Sequence, residues 1–579
     1  MNDIRRTILW VIFGFSMILL WDQWQIHNGR QATFFGTPPT ASTAGTAPST
    51  TAAPNAASTS AAVPSASPGL AAGGSALPPA SGAAQPSASG VPTAATASAA
   101  ERIRVRTDVL QLDFSTEGGT LVRSELLRHV DLENKDANFV LFDESAQRVY
   151  LAQTGLIGGS FPNHKTAMRF VGERELAEGA NELVLRFESP ETSDGVQLVK
   201  TYTLKRGSYA VGVRHEVINR SPVAVNPQLY LQLVRDGNKP PGESAFYSTF
   251  TGPVVYTEAK KYQKVDFEDI EKGKAEFERA SSDGYVAMVQ HYFASAWLLT
   301  QGTSREMFMR RVDTNLYAAG MITPIPAVAP AATAAVEATL FAGPQEEKVL
   351  QALAPGLELV KDYGWLTILA KPLYWLLDWL HSVIGNWGWA IVALVFLLKI
   401  AFYWLNAKAY ASMAKMKAVN PKVMEMRERL KDNPQQMQQE MMRIYREEKV
   451  NPLGGCFPIL VQIPVFIALY WVLLSSVEMR NAPWIGWIHD LSAPDPWFLL
   501  PVLMTLTTML QTALNPQPPD PLQAKLMWFM PLIFSVMFFF FPAGLVLYWL
   551  TNNVLSIAQQ WLINTRMGVP PQFNLPKFK

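Results

Sequence analysis

Along much of the middle of the chain, apolar and polar positions alternate with a period of two. Ile103-Arg104-Val105-Arg106 alternates, and Leu110-Gln111-Leu112-Asp113-Phe114 resumes the alternation after a slip of phase that predicts a β-bulge. Residues 183–187, 196–204 and 209–217 repeat the pattern, with Ser193-Asp194-Gly195 and Lys205-Arg206-Gly207-Ser208 as turns. About 250 residues of this rhythm, 101–352, predict one large β-sandwich. A helix-favouring stretch at 346–354, stopped by Pro355-Gly356, leads out of it.

After residue 386 the polar positions thin out. Apolar runs at 387–405, 456–474, 497–514, 526–541 and 544–563 are each near the length of a bilayer-crossing helix. Another, residues 8–21, follows Arg5-Arg6 and precedes Asp22-Gln23-Trp24-Gln25, which lacks the small residues of a cleavage site. Residues 1–24 therefore read as an uncleaved anchor with its arginines inside. Residues 25–100, almost wholly Ala, Ser, Thr, Pro and Gly from 37 onwards, predict a disordered linker.

Two further segments flank the first of these runs. Residues 364–384 are too polar for a span: Lys371, Asp378 and His381 share one helical face, while Trp365, Leu369, Trp375, Leu376 and Trp379 crowd the rest. That pattern predicts an amphipathic helix lying along the outer membrane surface, where a histidine needs no catalytic role. Residues 406–450 carry ten Lys and Arg against six Asp and Glu, which argues for an inside location. Asn433-Pro434 divides this segment into helices at 408–430 and 435–449, a hairpin. The expected fold class is a membrane protein of six transmembrane α-helices, both termini inside, with a large outer β-sandwich domain.

Composition narrows the function. Hydrophobic residues make up 49% of the chain and charged residues 17%, which leans towards a membrane protein. A net charge of +1, unevenly distributed, gives no reason to expect a nucleic-acid partner. The single cysteine, Cys456, excludes an intramolecular disulfide or a cysteine metal cluster and reads as a small buried residue at a helix start. Residues 451–455 lack the Gly-Lys-Ser/Thr that cradles phosphate, and no cofactor is implied.

The candidate chemistry centres on Lys399, a cation inside the apolar run 387–405. A charge on such a helix is expensive in lipid and should face a partner or a wet cavity. Polar residues recur around it at helical spacing. Lys399, Tyr403 and Asn406 share a face; so do Tyr548, Asn552, Ser556 and Gln559; Thr505, Thr508 and Thr512 line one side of a third run, and Gln462 and Tyr470 of a fourth. Any one stripe is as readily hydrogen-bonding glue between helices. Four of them, with a lysine and no Asp or Glu inside these runs, favour a hydrated groove. The hairpin adds Lys415, Lys417, Arg427 and seven methionines, Met413, Met416, Met424, Met426, Met437, Met441 and Met442. Flexible thioethers suit varied apolar partners, or simply pack the two helices together.

The motifs SMAKMKAVNPKVMEMRERL, EKVNPLGGCFPILVQIPVFIALY, WIHDLSAPDP and FPAGLVLYWLTNN resemble the YidC family of membrane protein insertases. The resemblance extends over the whole chain and implies a non-enzymatic protein of the bacterial inner membrane, with residues 101–352 periplasmic and an insertase core at 353–579. It implies a groove, open to cytoplasm and lipid, that receives hydrophilic parts of nascent membrane proteins, with or without the Sec translocon. Membrane lipids and the ribosome are further implied partners, with no nucleic acid beyond ribosome contact. The family's groove cation is usually arginine; Lys399 stands at the matching position, keeping the charge without the forked donor geometry. The outer domain resembles sugar-binding β-sandwiches, yet residues 284–288 and 291–293 read as packing rather than a sugar site. Two other readings stand beside this one. A secondary transporter would use Lys399 as a substrate or proton site, but no pair of matching repeats is visible. A carbohydrate-active outer domain would need convergent carboxylates, and no such constellation is visible.

Overall fold

In the computed structural model of the protein, the described residues are 100–131, 134–240, 249–430, 433–448, 457–515, 521–566, 568 and 573. The expected anchor, the linker up to residue 99, Cys456 and residues 451–455 lie outside them. Between Val360 and Lys361 the chain passes from one compact unit to another.

The first unit holds two nine-stranded sheets whose strand pairs are antiparallel. Tyr150, on the strand Val149–Ile157 of one sheet, meets Ser295, on Phe293–Leu299 of the other, at 2.5 Å between hydroxyls. Trp297 Nε1 donates across the same interface to the carbonyl of Gln232 at 3.2 Å. This is the expected sandwich, and 284–288 and 292–293 are packing as expected, since Tyr285, Val286, Ala287, Met288, Tyr292 and Phe293 are all buried.

One expectation fails. The slip of phase after Arg106 is a chain reversal, not a bulge: Arg102–Arg106 and Leu110–Ser115 are separate strands, with Arg106 opposite Gln111. The Thr107 hydroxyl accepts from the backbone N–H groups of Val109 and Leu110 at 3.3 and 3.0 Å. A threonine that satisfies two backbone donors lets the chain turn without the glycine or proline that usually marks a turn. A bulge occurs one pairing later, at Asp113/Phe114 against the strand Thr120–Val130.

The sandwich buries charged chemistry of its own. Lys200 is fully buried and donates to the carbonyls of Gly118 and Thr154 at 2.6 and 2.7 Å, tying the strand Val196–Lys205 to the opposite sheet. Burial lowers its ammonium to about 7. His215, with Nε2 at 3.0 Å from the Thr154 hydroxyl, is lowered to about 3 by burial and by the neighbouring lysine, and is neutral.

Two short helices, α1 (Phe267–Glu271) and α2 (Glu347–Leu353), belong to this unit. The second unit is helical: α3 (Thr367–Ile384), α4 (Trp387–Ala401), α5 (Tyr403–Arg429), α6 (Pro434–Glu447), α7 (Phe457–Ser475), α8 (Leu499–Leu514), α9 (Pro521–Met537) and α10 (Ala543–Arg566). Ala390, Ile391, Leu394, Ala468, Leu469, Val472, Val546 and Leu547 form its core. Helix α3 turns Ala370, Tyr374, Leu377 and Leu380 into that core, leaves Ile368, Trp375, Trp379 and Val383 exposed, and stacks His381 on Trp387 at 3.9 Å. It is a docked helix whose second, apolar face stays exposed.

The lysine-bearing run is not one helix. It stops at Ala401; Phe402 leaves helical geometry, and α4 and the start of α5 meet at a 64° bend. Hydrogen bonds from Phe402 N to Leu398 O and from Asn406 N to Phe402 O, at 2.9 and 3.0 Å, carry the ladder across. Neither proline nor glycine marks the break, so no local signal predicts it. Among the described residues, no single helix is long and apolar enough to cross a membrane, although this bent pair is, taken together. The run 526–541 likewise ends its α-helix at Met537 and finishes in a 3-10 turn, Phe538–Phe540. Asn433 caps α6 by accepting from Gln436 N at 3.3 Å, with Pro434 at the first position of the helix.

Candidate functional site: a polar pocket around Lys399

Helix α10 organises the polar residues of the helical unit. Its residues at steps of four and three bring Asn552, Ser556 and Gln559 to one face, all buried. Each meets a different helix. Ser556 Oγ accepts from Lys399 Nζ of α4 at 2.7 Å, Asn406 Nδ2 of α5 donates to Gln559 Oε1 at 3.2 Å, and Gln462 Nε2 of α7 makes a long contact to Asn552 Oδ1 at 3.5 Å. On the adjoining face, Asn553 Nδ2 donates to Thr508 Oγ1 of α8 at 2.8 Å.

A small open pocket of about 300 Å³, counted out to its mouth, lies between these helices. Lys399, Asn406, Gln462, Tyr548 and Asn552 supply its polar wall; Val395, Leu398, Phe402 and Val465 supply the apolar one. Lys399 is only partly buried, and among the described residues it makes no ion pair. Lys361 is treated otherwise. Its side chain is fully buried, its Nζ lies 2.8 and 2.9 Å from the two oxygens of Glu478, and it sits 4.0 Å above the Tyr374 ring, whose hydroxyl donates to the same carboxylate at 2.7 Å. One lysine is neutralised by a carboxylate; the other faces a cavity.

Of the sequence candidates, the structure brings Lys399, Gln462, Tyr548, Asn552 and Ser556 together. It leaves three out. Tyr403 lies beyond the bend and is 39% exposed, because the break at Phe402 takes it off the face it would share with Lys399 in a straight helix. Thr505 and Thr508 donate back to the carbonyls of Pro501 and Met504, each at 2.8 Å, and Thr508 joins Asn553 rather than the pocket. That stripe bonds its own helix and, at Thr508, the neighbouring α10. Asn553, Phe402 and the Lys361–Glu478 pair escaped the sequence reading. Asn553 lies one residue off the stripe, and the pair joins positions 117 apart.

The hairpin divides its methionines. Met426 is buried with Val419 and Val423, and Met416, Met437 and Met441 pack against them, so Met441 is an internal contact. Met424 and Met442 are 47% and 50% exposed. Lys415 is exposed and Arg427 half-buried.

Comparison with known proteins accounts for this architecture. The family model for the YidC periplasmic domain matches residues 102–376, and that for the 60Kd inner membrane protein matches residues 379–569. The membrane protein insertase YidC of Janthinobacterium sp. (strain Marseille) is 51% identical across 98% of this chain and 100% of its own length. The chain belongs to the YidC family of membrane protein insertases. These are non-enzymatic insertases and chaperones of the bacterial inner membrane. The YidC of Ralstonia nicotianae is 53% identical over 98% of both chains. A solved structure of an active YidC insertase, with its first transmembrane domain resolved, spans 79% of this chain and 91% of its own at 19% identity and a TM-score of 0.37, too loose a superposition to add to the sequence match.

Proposed function

We propose that the insertase activity of this chain runs through the pocket around Lys399. The ammonium attracts an acidic residue in the translocated tail of a nascent membrane protein. Gln462, Tyr548 and Asn552 give that tail uncharged hydrogen-bonding partners part-way across the bilayer. The tail's polar path through hydrocarbon shortens, and the substrate's apolar segment then partitions into lipid beside α7 and α9, driven by burial of apolar surface. In this reading the chain crosses the inner membrane six times, with residues 101–352 in the periplasm and both termini in the cytoplasm. Helices α5 and α6 meet the emerging chain or the ribosome, and the Sec translocon cooperates on some substrates.

The observation that carries this reading is a partly buried lysine that lines a cavity among uncharged polar residues, with no carboxylate partner among the described residues. It is tested with paired substrates, identical except for one tail aspartate, inserted by the wild type and by Lys399→Arg, Lys399→Ala and Lys399→Glu. Arginine should be tolerated. Alanine should slow the acidic substrate more than its neutral twin, and glutamate should be worst, since it repels the tail. Equal rates for both substrates in every variant would refute the electrostatic role.

A further inference from the structure

Lys399 has no counter-ion in reach among the described residues, yet its ammonium is not loose. Its Nζ lies 2.7 Å from Ser556 Oγ, and that hydroxyl spends its own proton on the carbonyl of Asn552, one turn back on α10, at 2.6 Å. The relay runs from ammonium to hydroxyl to carbonyl, and the same hydroxyl also meets the Tyr410 hydroxyl of α5, which pins it further. A hydroxyl already donating to a carbonyl is polarised and accepts more strongly, and within a low-dielectric site such relays strengthen. Ser556 is 4% exposed, so it cannot swing away to water. One turn further along the same face, Asn406 and Gln559 hold the start of α5 against α10, which steadies the end of α4 where Lys399 sits.

We infer that Ser556 is the positioning residue for Lys399, a neutral stand-in for a counter-ion; this rests on the Lys399 pocket being the site of insertion. An ammonium has three donors. One is committed to Ser556, which anchors the side chain against α10, and the others remain for the pocket. A carboxylate at this position would anchor the lysine equally well and would also neutralise it, as Glu478 does for Lys361. A hydroxyl anchors without neutralising, so the cation stays available to a substrate carboxylate. Without the hydroxyl, a flexible four-carbon stem would let the charge drift towards the nearest water. Selectivity for acidic tails should then fall even though the charge is unchanged.

The test uses the full-length protein in proteoliposomes and two purified single-span substrates, one with a single tail aspartate and its twin with asparagine. Ser556→Ala should slow the aspartate substrate about tenfold, the lower end of what one hydrogen bond to a charged group supplies, and leave the asparagine twin unchanged. Ser556→Thr, which keeps the hydroxyl, should restore the rate. Ser556→Asp should remove the preference for the acidic tail, because the lysine is then internally paired. In a Lys399→Ala background, Ser556→Ala should add nothing. Equal slowing of both substrates by Ser556→Ala, or no rescue by threonine, would make Ser556 a packing residue and overturn the inference. No effect of Ser556→Ala where Lys399→Ala is impaired would overturn it while the pocket reading stands. No effect of Lys399→Ala itself would overturn the pocket reading.

Discussion

Lys200 in the β-sandwich and Lys399 in the helical unit are both lysines withdrawn from water, the first wholly and the second in part, and their surroundings differ in kind. Lys200 is sealed, fully buried with two backbone carbonyls aimed at its nitrogen. Lys399 is held by a single hydroxyl and opens onto a pocket. The first arrangement closes a fold; the second leaves binding capacity unspent. Lys361 marks a third way, a buried ion pair completed by a carboxylate and a tyrosine. A buried charge thus suggests function only where its partners leave part of it unused, which sharpens the usual presumption about intramembrane cations.

The largest expected effect is at that third lysine. Glu478→Gln leaves the Lys361 ammonium buried without its counter-charge and should destabilise the junction of α3 with the end of α7 by about 3 kcal/mol. Loss of protease resistance around residues 361–374 in detergent would register it, and Lys361→Met with Glu478→Leu should recover most of the loss. Persistence of full resistance in Glu478→Gln would mean the pair is not what fixes α3. Next, Lys200→Ala should lower the stability of the outer domain by about 2–3 kcal/mol, through two stranded carbonyls and a cavity. Insertion of an acidic-tailed substrate should nevertheless stay within about twofold of wild type if the pocket alone carries it. A loss of insertion as large as that of Lys399→Ala, with the domain still folded, would erase the contrast between the two lysines.

Several of these distinctions were legible in the sequence and others could not be. The spacing of Tyr548, Asn552 and Ser556 put them on one face, and the absence of acidic residues in the apolar runs pointed to an unneutralised cation. The sandwich followed from alternation in strands such as Glu182–Glu188 and Ala210–Asn219. Periodicity gives a face, however, and not the neighbour that face meets. Hence Thr505 and Thr508 looked like groove residues and proved to be bonded to their own helix and to Asn553. Spacing alone puts Tyr403 beside Lys399, because nothing local announces the break at Phe402, a residue that itself lines the pocket. Alternation alone makes the Thr107 turn read as a bulge, because a side-chain oxygen replaces the usual glycine.

Two smaller effects refine the comparison. Unfolded lysine titrates near 10.5, but burial holds Lys200 at about 7. Between those values the unfolded chain binds a proton that the folded chain has shed, so the stability of the outer domain should rise with pH across pH 7–10.5 and be flat, on this account, below 7. Urea unfolding of the domain in the full-length protein at pH 6, 8 and 9.5 reads this directly, and Lys200→Met should flatten the rise. An equally steep rise in that variant would assign it to another group. Smallest is the hairpin. Met441→Ser should loosen the packing of α5 on α6 by about 1–2 kcal/mol, seen as faster hydrogen exchange in α6, whereas exposed Met442→Ser should leave exchange unchanged and weaken only crosslinking to substrate. Equal exchange in both would mean that burial does not separate the two methionines.

Helix α10 touches α4, α5, α7 and α8 through side chains packed into little more than two turns, Asn552 to Gln559. Each residue of an α-helix advances the next by about 100°. Deleting one residue between Tyr548 and Asn552 would rotate every one of those contacts off its partner at once while leaving Tyr548 in place. Substitutions in this helix can be absorbed singly, but a change of length cannot. In genetic terms, the segment should accept many missense changes and reject single-codon insertions and deletions, whereas residues 25–100, expected from composition to be a linker, should accept both.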